Sequence, residues 1–123
     1  MVKITVSDSL KDHLNKKGAS AMVVDRYRPH RTCTTNGIEP LIVIEPVTDD
    51  AYREKLRSSR FVTAEADGVE IFFTPELRFV GNEISFDYAG RIFKEIRSSG
   101  IFIPSAFSSE NTGKKIQNIF FAR

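Results

Sequence analysis

The chain has 123 residues, of which 41% are hydrophobic and 28% charged, and it carries a formal net charge of +2. This size and composition favour one compact globular domain, exclude general disorder, and give a charge too weak to demand an anionic partner. The longest apolar runs are too short to span a bilayer, and the first ten residues lack the apolar stretch of a secretory signal. We therefore expect a cytoplasmic protein without a membrane partner.

The apolar periodicity and the turn residues predict a β-rich chain that begins with a strand and a helix. A period of two indicates a strand, a period of 3.6 indicates a helix, and Gly, Pro and Asp-Gly indicate turns. In chain order the predicted elements are a strand at 2–6, a helix at 8–17, a strand at 19–28, a strand at 41–45, a short helix or charged loop at 48–59, a hairpin at 61–74 and a strand at 84–88. The segment 90–104 suits a helix through Ile92, Phe93 and Ile96 or a strand with Ile92, Lys94 and Ile96 on one face, and we favour the strand.

These elements predict a mainly β (α+β) fold, a small mixed and mostly antiparallel sheet with one N-terminal helix. Residues 1–103 are expected to form this domain, because their apolar pattern is continuous. Residues 104–115 are rich in Ser, Asn and Gly, which is typical of a linker, and the last residues are apolar again. Residues 104–123 are therefore predicted to be a polar linker and an apolar tail.

Capping and turn residues predict where the elements begin and end. Ser7 or Ser9 can accept the free N–H groups of the first helix, and Gly18 can end it in the left-handed conformation. Thr48 is a candidate cap for the second helical segment. The pair at 67–68, Asp-Gly, tolerates the positive φ angles of a tight hairpin turn.

The order of the segments between residues 2 and 103 is similar to that of a known family. Residues 67–90, DGVEIFFTPELRFVGNEISFDYAG, resemble a central hairpin in which a Gly-initiated strand, a short turn and a Gly precede a strand of the form xIDY. The opening VKITVSDSLKDHLNKKG resembles the first strand and helix of the same family, the HesB-like, A-type iron-sulfur assembly proteins. The resemblance implies a HesB-like fold and a role similar to an assembly scaffold or carrier.

Cys33 falls after the second predicted strand, where the HesB-like family carries its first cysteine. Members of the family carry two further cysteines near the C-terminus, but Cys33 is the single cysteine of this chain. The chain therefore resembles a divergent member near the branch with a paired-cysteine loop, although both neighbours of Cys33 are Thr. Iron or an iron-sulfur cluster is the cofactor that the resemblance implies. One cysteine disfavours a cluster, which needs about four ligands, so the cofactor is left unknown.

Cys33 is also the candidate site on chemical grounds. Arg28, Arg31 and a protonated His30 stand close in sequence, and positive charges lower the pKa of a thiol. His30 and Cys33 are spaced to share a metal ion, but they supply two of the roughly four ligands that structural zinc requires. The alternative interpretation is a spectator or partly buried cysteine.

The same basic segment predicts an alternative function, an anion or nucleic-acid binding module. Arg26, Arg28 and Arg31 could neutralise phosphates, and Tyr27 could stack on a base. In a strand, however, the first two arginines lie on the face opposite Tyr27, so these groups need not converge on one ligand. A solvated strand edge is the competing interpretation.

The remaining chemistry of the sequence predicts a protein that is not an enzyme. The chain contains no Gly-rich phosphate loop, no Gly-x-Ser-x-Gly elbow and no His-Glu-x-x-His helix. His13 is expected to pack beside Leu10 and Leu14, and the acidic residues between 49 and 57 alternate with basic ones, which indicates a solvated helix face. We therefore expect a binding or accessory module that works with a protein partner or as a homodimer.

Overall fold

Two helices and ten strands occur in the part of the chain that the computed structural model describes, residues 2–26, residues 42–103 and the backbone of residues 114–115. The helices are α1 (Asp8–Lys17) and α2 (Asp50–Arg57). The strands are β1 (Lys3–Val6), β2 (Ala21–Arg26), β3 (Ile42–Val47), β4 (Val62–Ala66), β5 (Val69–Phe73), β6 (Arg78–Phe79), β7 (Glu83–Ala89), β8 (Glu95–Ser99), β9 (Ile101–Phe102) and β10 (Lys114–Lys115).

The strands form three sheets. The largest has the order β3-β2-β5-β4, the second has the order β1-β7-β8, and the small third sheet has the order β10-β6-β9. The pairs β1–β7 and β2–β5 are parallel, and the other pairs among the described strands are antiparallel. The predicted class, a small, mixed and mostly antiparallel β-rich domain, is therefore confirmed, with α2 as a second helix.

Helix α1 begins and ends where the capping residues predicted. The side chain of Ser7 accepts a hydrogen bond from the backbone N–H of Leu10 at 3.2 Å. Gly18 takes the left-handed conformation at φ 71°, and its N–H donates to the carbonyl of Asn15 at 3.1 Å. Leu10 and Leu14 are buried, so this face of the helix packs on the core.

The core consists of two apolar clusters on opposite faces of the largest sheet. The main cluster joins that sheet to α1 and to the β1-β7-β8 sheet, and the second cluster lies under α2. Large fully buried members of the main cluster are Leu10, Leu14, Met22, Val24, Ile71, Phe73, Leu77, Ile84 and Phe86. The second cluster comprises Ala21, Val23, Val47, Leu56 and Phe72. Because both faces of β2 and β5 are covered, these strands are apolar along most of their length.

Two boundaries near α2 differ from the predicted ones. Strand β3 continues through Pro46 to Val47, beyond the predicted end at residue 45, because β3 is an edge strand of its sheet and an outward-facing proline costs no ladder hydrogen bond. The cap of α2 is Asp49, whose carboxylate accepts from the N–H of Ala51 at 3.2 Å, and not Thr48.

The segment 90–104 was predicted to be a strand with Ile92 on one face, and this is only partly correct. Strand β8 begins at Glu95, so residues 90–94 form the turn that joins it to β7. Ile92 and Phe93 are 86% and 84% exposed at that turn. The apolar character of the two residues therefore reflects neither a strand face nor the core.

The part of the chain beyond residue 103 is described only at β10. The backbone of β10 pairs antiparallel with β6, opposite Phe79 and Arg78. The proposed boundary between domain and linker stays a prediction. Within the described ranges, no helix is both long enough and apolar enough to cross a membrane.

Candidate functional site

The connection between β2 and β3 contains most of the predicted site residues. Strand β2 ends at Arg26 and β3 begins at Ile42, so residues 27–41 form the connection. Arg26 and Ile42 are register partners. The connection therefore leaves the largest sheet and re-enters it at the same end, and both of its ends are held by strand pairing.

Four of the predicted site residues belong to this connection, namely Arg28, His30, Arg31 and Cys33. They lie outside the described residues, and their predicted roles as thiol, metal ligand and anion-binding groups stay predictions. The described residues add no ready metal site, because none of them forms a group of three or more His, Cys, Asp or Glu that could hold an ion. With one cysteine in the chain, the donor set does not fit a cluster that takes about four ligands from one protein.

Arg26 is the predicted site residue that the structure describes. Its Nη1 donates to Oε2 of Glu76 at 3.0 Å, and the side chain of Arg26 is 41% exposed. Arg60 lies on the other carboxylate oxygen of Glu76, at 3.9 Å. The charge of Arg26 is therefore partly compensated by Glu76.

Thr74 lies at the same end of the sheet and was not predicted. The parallel register places Val24 beside Phe73, and the N–H of Thr74 donates to the carbonyl of Val24 at 2.9 Å. Thr74 is fully buried, and its hydroxyl has no hydrogen-bond partner within the described structure. The sequence feature that could have pointed to Thr74 is a polar residue directly after the apolar end of β5.

A cluster of ion pairs fastens α2 to the sheet. Oε1 of Glu70 accepts from Nε of Arg53 at 2.7 Å and from Nη2 of Arg57 at 2.9 Å, and Oε2 accepts from Nε of Arg57 at 3.1 Å. Arg57 also pairs with Glu54, and Arg53 donates to the hydroxyl of Ser20 at 2.7 Å. Burial raises the pKa of Glu70, but hydrogen bonds from the two arginines outweigh it and hold the pKa below the ordinary value of 4.5. Arg53 and Arg57 thus attach α2 to β5 through Glu70.

Replacing Glu70 by Gln is expected to destabilise the protein by about 1–2 kcal/mol at pH 7, because two arginines lose a charged acceptor and one of them is well exposed to solvent. The folded pKa of Glu70 lies below 4.5, so its contribution is fully present above that pH and is lost as the pH falls through the folded pKa. The urea midpoints of the wild type and of Glu70→Gln should therefore converge as the pH falls through this range.

Glu65 provides the matched control for this variant, since it faces Glu70 across the β4–β5 pair. Glu65 makes no ion pair with the described residues and is exposed. Its replacement by Gln should cost nothing and should relieve repulsion between the two carboxylates. Equal losses in the two variants would show that the arginines do not hold Glu70.

A second polar cluster fastens the start of α1 to β7. Oδ1 of Asp87 accepts hydrogen bonds from the hydroxyls of Ser7 at 2.7 Å and Ser9 at 2.8 Å, and from the N–H of Tyr88 at 2.8 Å. These three donors, Ser7 first, lower the pKa of Asp87. The carboxylate therefore stays charged and joins a helix cap to a strand.

His13 lies one helical turn after Ser9, and its ring packs on that of Tyr88, a contact that was not predicted. The two rings are stacked, with centroids 3.8 Å apart and an angle of 13° between the planes. Burial, followed by the charges of Lys17 and Lys16, lowers the pKa of His13 below 6.5. Among the described contacts no hydrogen bond joins His13 to either serine, so the nearby Ser, His and Asp do not form a catalytic triad.

This chain shows a likeness to a known protein in its structure and not in its sequence. No protein-family model matches it, and no curated protein matches its sequence. Among solved structures, it is similar to the crystal structure of Escherichia coli SufA, a protein involved in the biosynthesis of iron-sulfur clusters. The identity is 11%, 80% of each chain is covered, and the TM-score is 0.46. A likeness of this degree assigns no function.

Proposed function

We propose that this protein is a small, non-enzymatic binding or accessory module that acts through the thiol of Cys33 in metal or iron-sulfur chemistry. The observation that carries the proposal is the register of Arg26 with Ile42, which anchors both ends of the connection that contains Cys33. Functional side chains are commonly carried on connections that a rigid scaffold positions. The resemblance of the sequence to the HesB-like family suggests the kind of chemistry.

The scaffold behind this connection is rigid for a specific reason. Strand β2 is interior to its sheet, between β3 and β5, and its residues from Ala21 to Val24 are buried on both faces. Close-packed interiors of this kind have low compressibility. The point at which the connection leaves the sheet is therefore held in place, which is what a module that offers one thiol to a partner requires.

The single thiol limits the number of metal ligands that such a module can supply. A single thiolate is one ligand, and two copies of the chain supply two, which is half of the roughly four that a cluster needs. The remaining ligands must come from elsewhere when metal or cluster is held, either from a protein partner or from His30 of each copy. Since the thiol must stay reduced to act, the proposal includes a reducing compartment, the cytoplasm.

Protein purified without oxygen is expected to contain less than one iron or zinc per chain, and Cys33→Ser is expected to remove what is bound. The measurement is elemental analysis with an absorption spectrum, before and after attempted cluster reconstitution. The labelling rate of Cys33 against pH should give an apparent pKa at or below about 8.5. The urea midpoint of Cys33→Ser should stay close to that of the wild type.

Three arginine variants test whether arginines close to Cys33 in sequence lower the pKa of its thiol. Arg28→Gln and Arg31→Gln should each raise the apparent pKa of Cys33, because each removes a positive charge close in sequence. Arg26→Gln is the matched control, and it should change the pKa less because Arg26 already pairs with Glu76. A stable cluster that survives Cys33→Ser, or labelling that occurs only after unfolding, would contradict the proposal.

A further inference from the structure

Two adjacent apolar side chains stand in solvent at the turn between β7 and β8. Ile92 is 86% exposed and Phe93 84%, whereas the other large exposed apolar residues of the described chain, Tyr52 and Val80, are 42% and 47% exposed. Single exposed apolar residues are normal at a protein surface. Exposing two adjacent apolar side chains almost completely to water is unfavourable in free energy, and folding of the chain does not remove this exposure.

The turn that presents these side chains is tightly closed. Its base is the pairing of Ala89 with Glu95 at the end of the β7–β8 ladder. A Cβ atom on Gly90 would overlap the backbone carbonyl of Phe93, so the chain passes too close to itself here for any other residue. The two apolar side chains are thus held on a closed turn, and pre-organisation of this kind lowers the entropy cost of binding.

The charges around the turn are mixed. Arg91 and Lys94 are exposed on either side of the apolar pair. Glu95 follows Lys94 at the base of the turn, is exposed, and accepts a hydrogen bond from Nε of Arg97 at 3.3 Å. An anionic bilayer attracts clusters of four to eight basic residues, and two cations with a carboxylate close by do not make such a surface.

A second copy of the chain is also a poor occupant. A two-fold contact centred on two such turns would crowd Arg91 and Lys94 of both copies around one axis, while the neighbouring Glu95 already pairs with Arg97 of its own chain. Like charges that face each other at close range repel. The combination of an apolar pair and flanking cations is complementary to a pocket that is apolar at its centre and acidic at its rim.

We propose that the turn from Gly90 to Lys94 is a docking element for a protein partner, in which Ile92 and Phe93 enter an apolar pocket and Arg91 and Lys94 pair with carboxylates around it. Aromatic side chains at the centre of a contact, surrounded by polar groups, are the usual carriers of binding free energy. This docking element is distinct from the Cys33 proposal, because it uses residues 90–94 and the thiol proposal uses the connection at residues 27–41.

The test places a photoreactive phenylalanine analogue at position 93 of the full chain and crosslinks it in extract of the source cells. The adduct should be competed by excess wild-type chain but not by the double variant I92S/F93S. The captured protein is then purified, and its affinity is measured directly. We expect I92S/F93S to weaken binding at least about tenfold, which is about 1.4 kcal/mol, and R91Q/K94Q to weaken it with reduced salt dependence.

Two control variants and a stability measurement show whether the effect is specific to the turn. Val80→Ser removes a different exposed apolar residue and should leave the affinity unchanged, as should Cys33→Ser, which separates this proposal from the thiol proposal. The urea midpoint of I92S/F93S should match the wild type because both side chains are exposed. The proposal would be overturned if no adduct formed or if wild-type chain did not compete for it. It would also be overturned by binding to phosphatidylserine vesicles that the double variant loses, or by self-association in sedimentation that depends on the turn.

Discussion

Replacing Phe73 by Ala is expected to destabilise the protein by about 3–5 kcal/mol, the usual cost of removing a buried phenylalanine ring. Phe73 has no exposed surface, and its ring lies 6.1 Å from that of Phe86, at an angle of 37°. Because Phe73 is in β5 and Phe86 in β7, the ring joins the two larger sheets. Its loss would leave a cavity between them, and a domain with a total stability of about 5–15 kcal/mol would lose a large fraction of it.

The measurement is urea unfolding followed by circular dichroism, and the matched control is Phe93→Ala. The chemical change is the same, but Phe93 is 84% exposed, so its replacement should change the free energy of unfolding by less than about 0.5 kcal/mol. If the two variants lost similar stability, the placement of Phe73 between the sheets would be wrong.

Gly100→Ala is expected to cost more than about 3 kcal/mol, because two separate penalties add at this position. Gly100 joins β8 to β9 at φ 87°, a left-handed conformation that costs an alanine about 1–2 kcal/mol. A Cβ atom would also overlap the backbone carbonyl oxygen of Glu83, which cannot move without disturbing β7. The carbonyl of Gly100 accepts from the N–H of Val80 at 2.9 Å, so the position has little room to relax.

Gly81→Ala separates the two penalties. Gly81 has φ 73°, but a Cβ atom there would meet nothing within 4 Å. Its replacement should therefore cost the conformational part alone, about 1–2 kcal/mol. Equal urea midpoints for the two variants would mean that the contact with Glu83 relaxes freely, and the expected difference would be refuted.

Much of the secondary structure was predictable because its causes are local. The cap by Ser7, the left-handed Gly18 and the alternation of Ile84, Phe86 and Tyr88 all act within a few residues, and α1 and β7 lie where these patterns predicted. The cap of α2 was missed by one residue, since Thr48 and Asp49 are both competent caps. Nothing local favours one over the other.

The surface turn between β7 and β8 shows where local patterns fail. Ile92 and Phe93 have the apolar, β-prone character of strand residues, and the sequence pattern placed Ile92 on a strand face. Gly90 reverses the assignment, because its close approach to the backbone of Phe93 closes the turn before β8 begins. An exposed apolar pair of this kind cannot be told from a buried one by periodicity.

Some features of the candidate site were likewise predictable from the residues themselves, and others depend on contacts between residues far apart in sequence. Residue chemistry alone identified Cys33 as the single thiol and marked the basic residues around it, since nucleophilicity and charge belong to the side chain. The neutralising partner of Arg26 is Glu76, fifty residues away, and the anchoring of residues 27–41 follows from the register of β2 with β3. The parallel pairs β1–β7 and β2–β5 likewise join distant segments. Such contacts form because burial of the two apolar clusters selects one arrangement of the strands, and that selection depends on the whole chain.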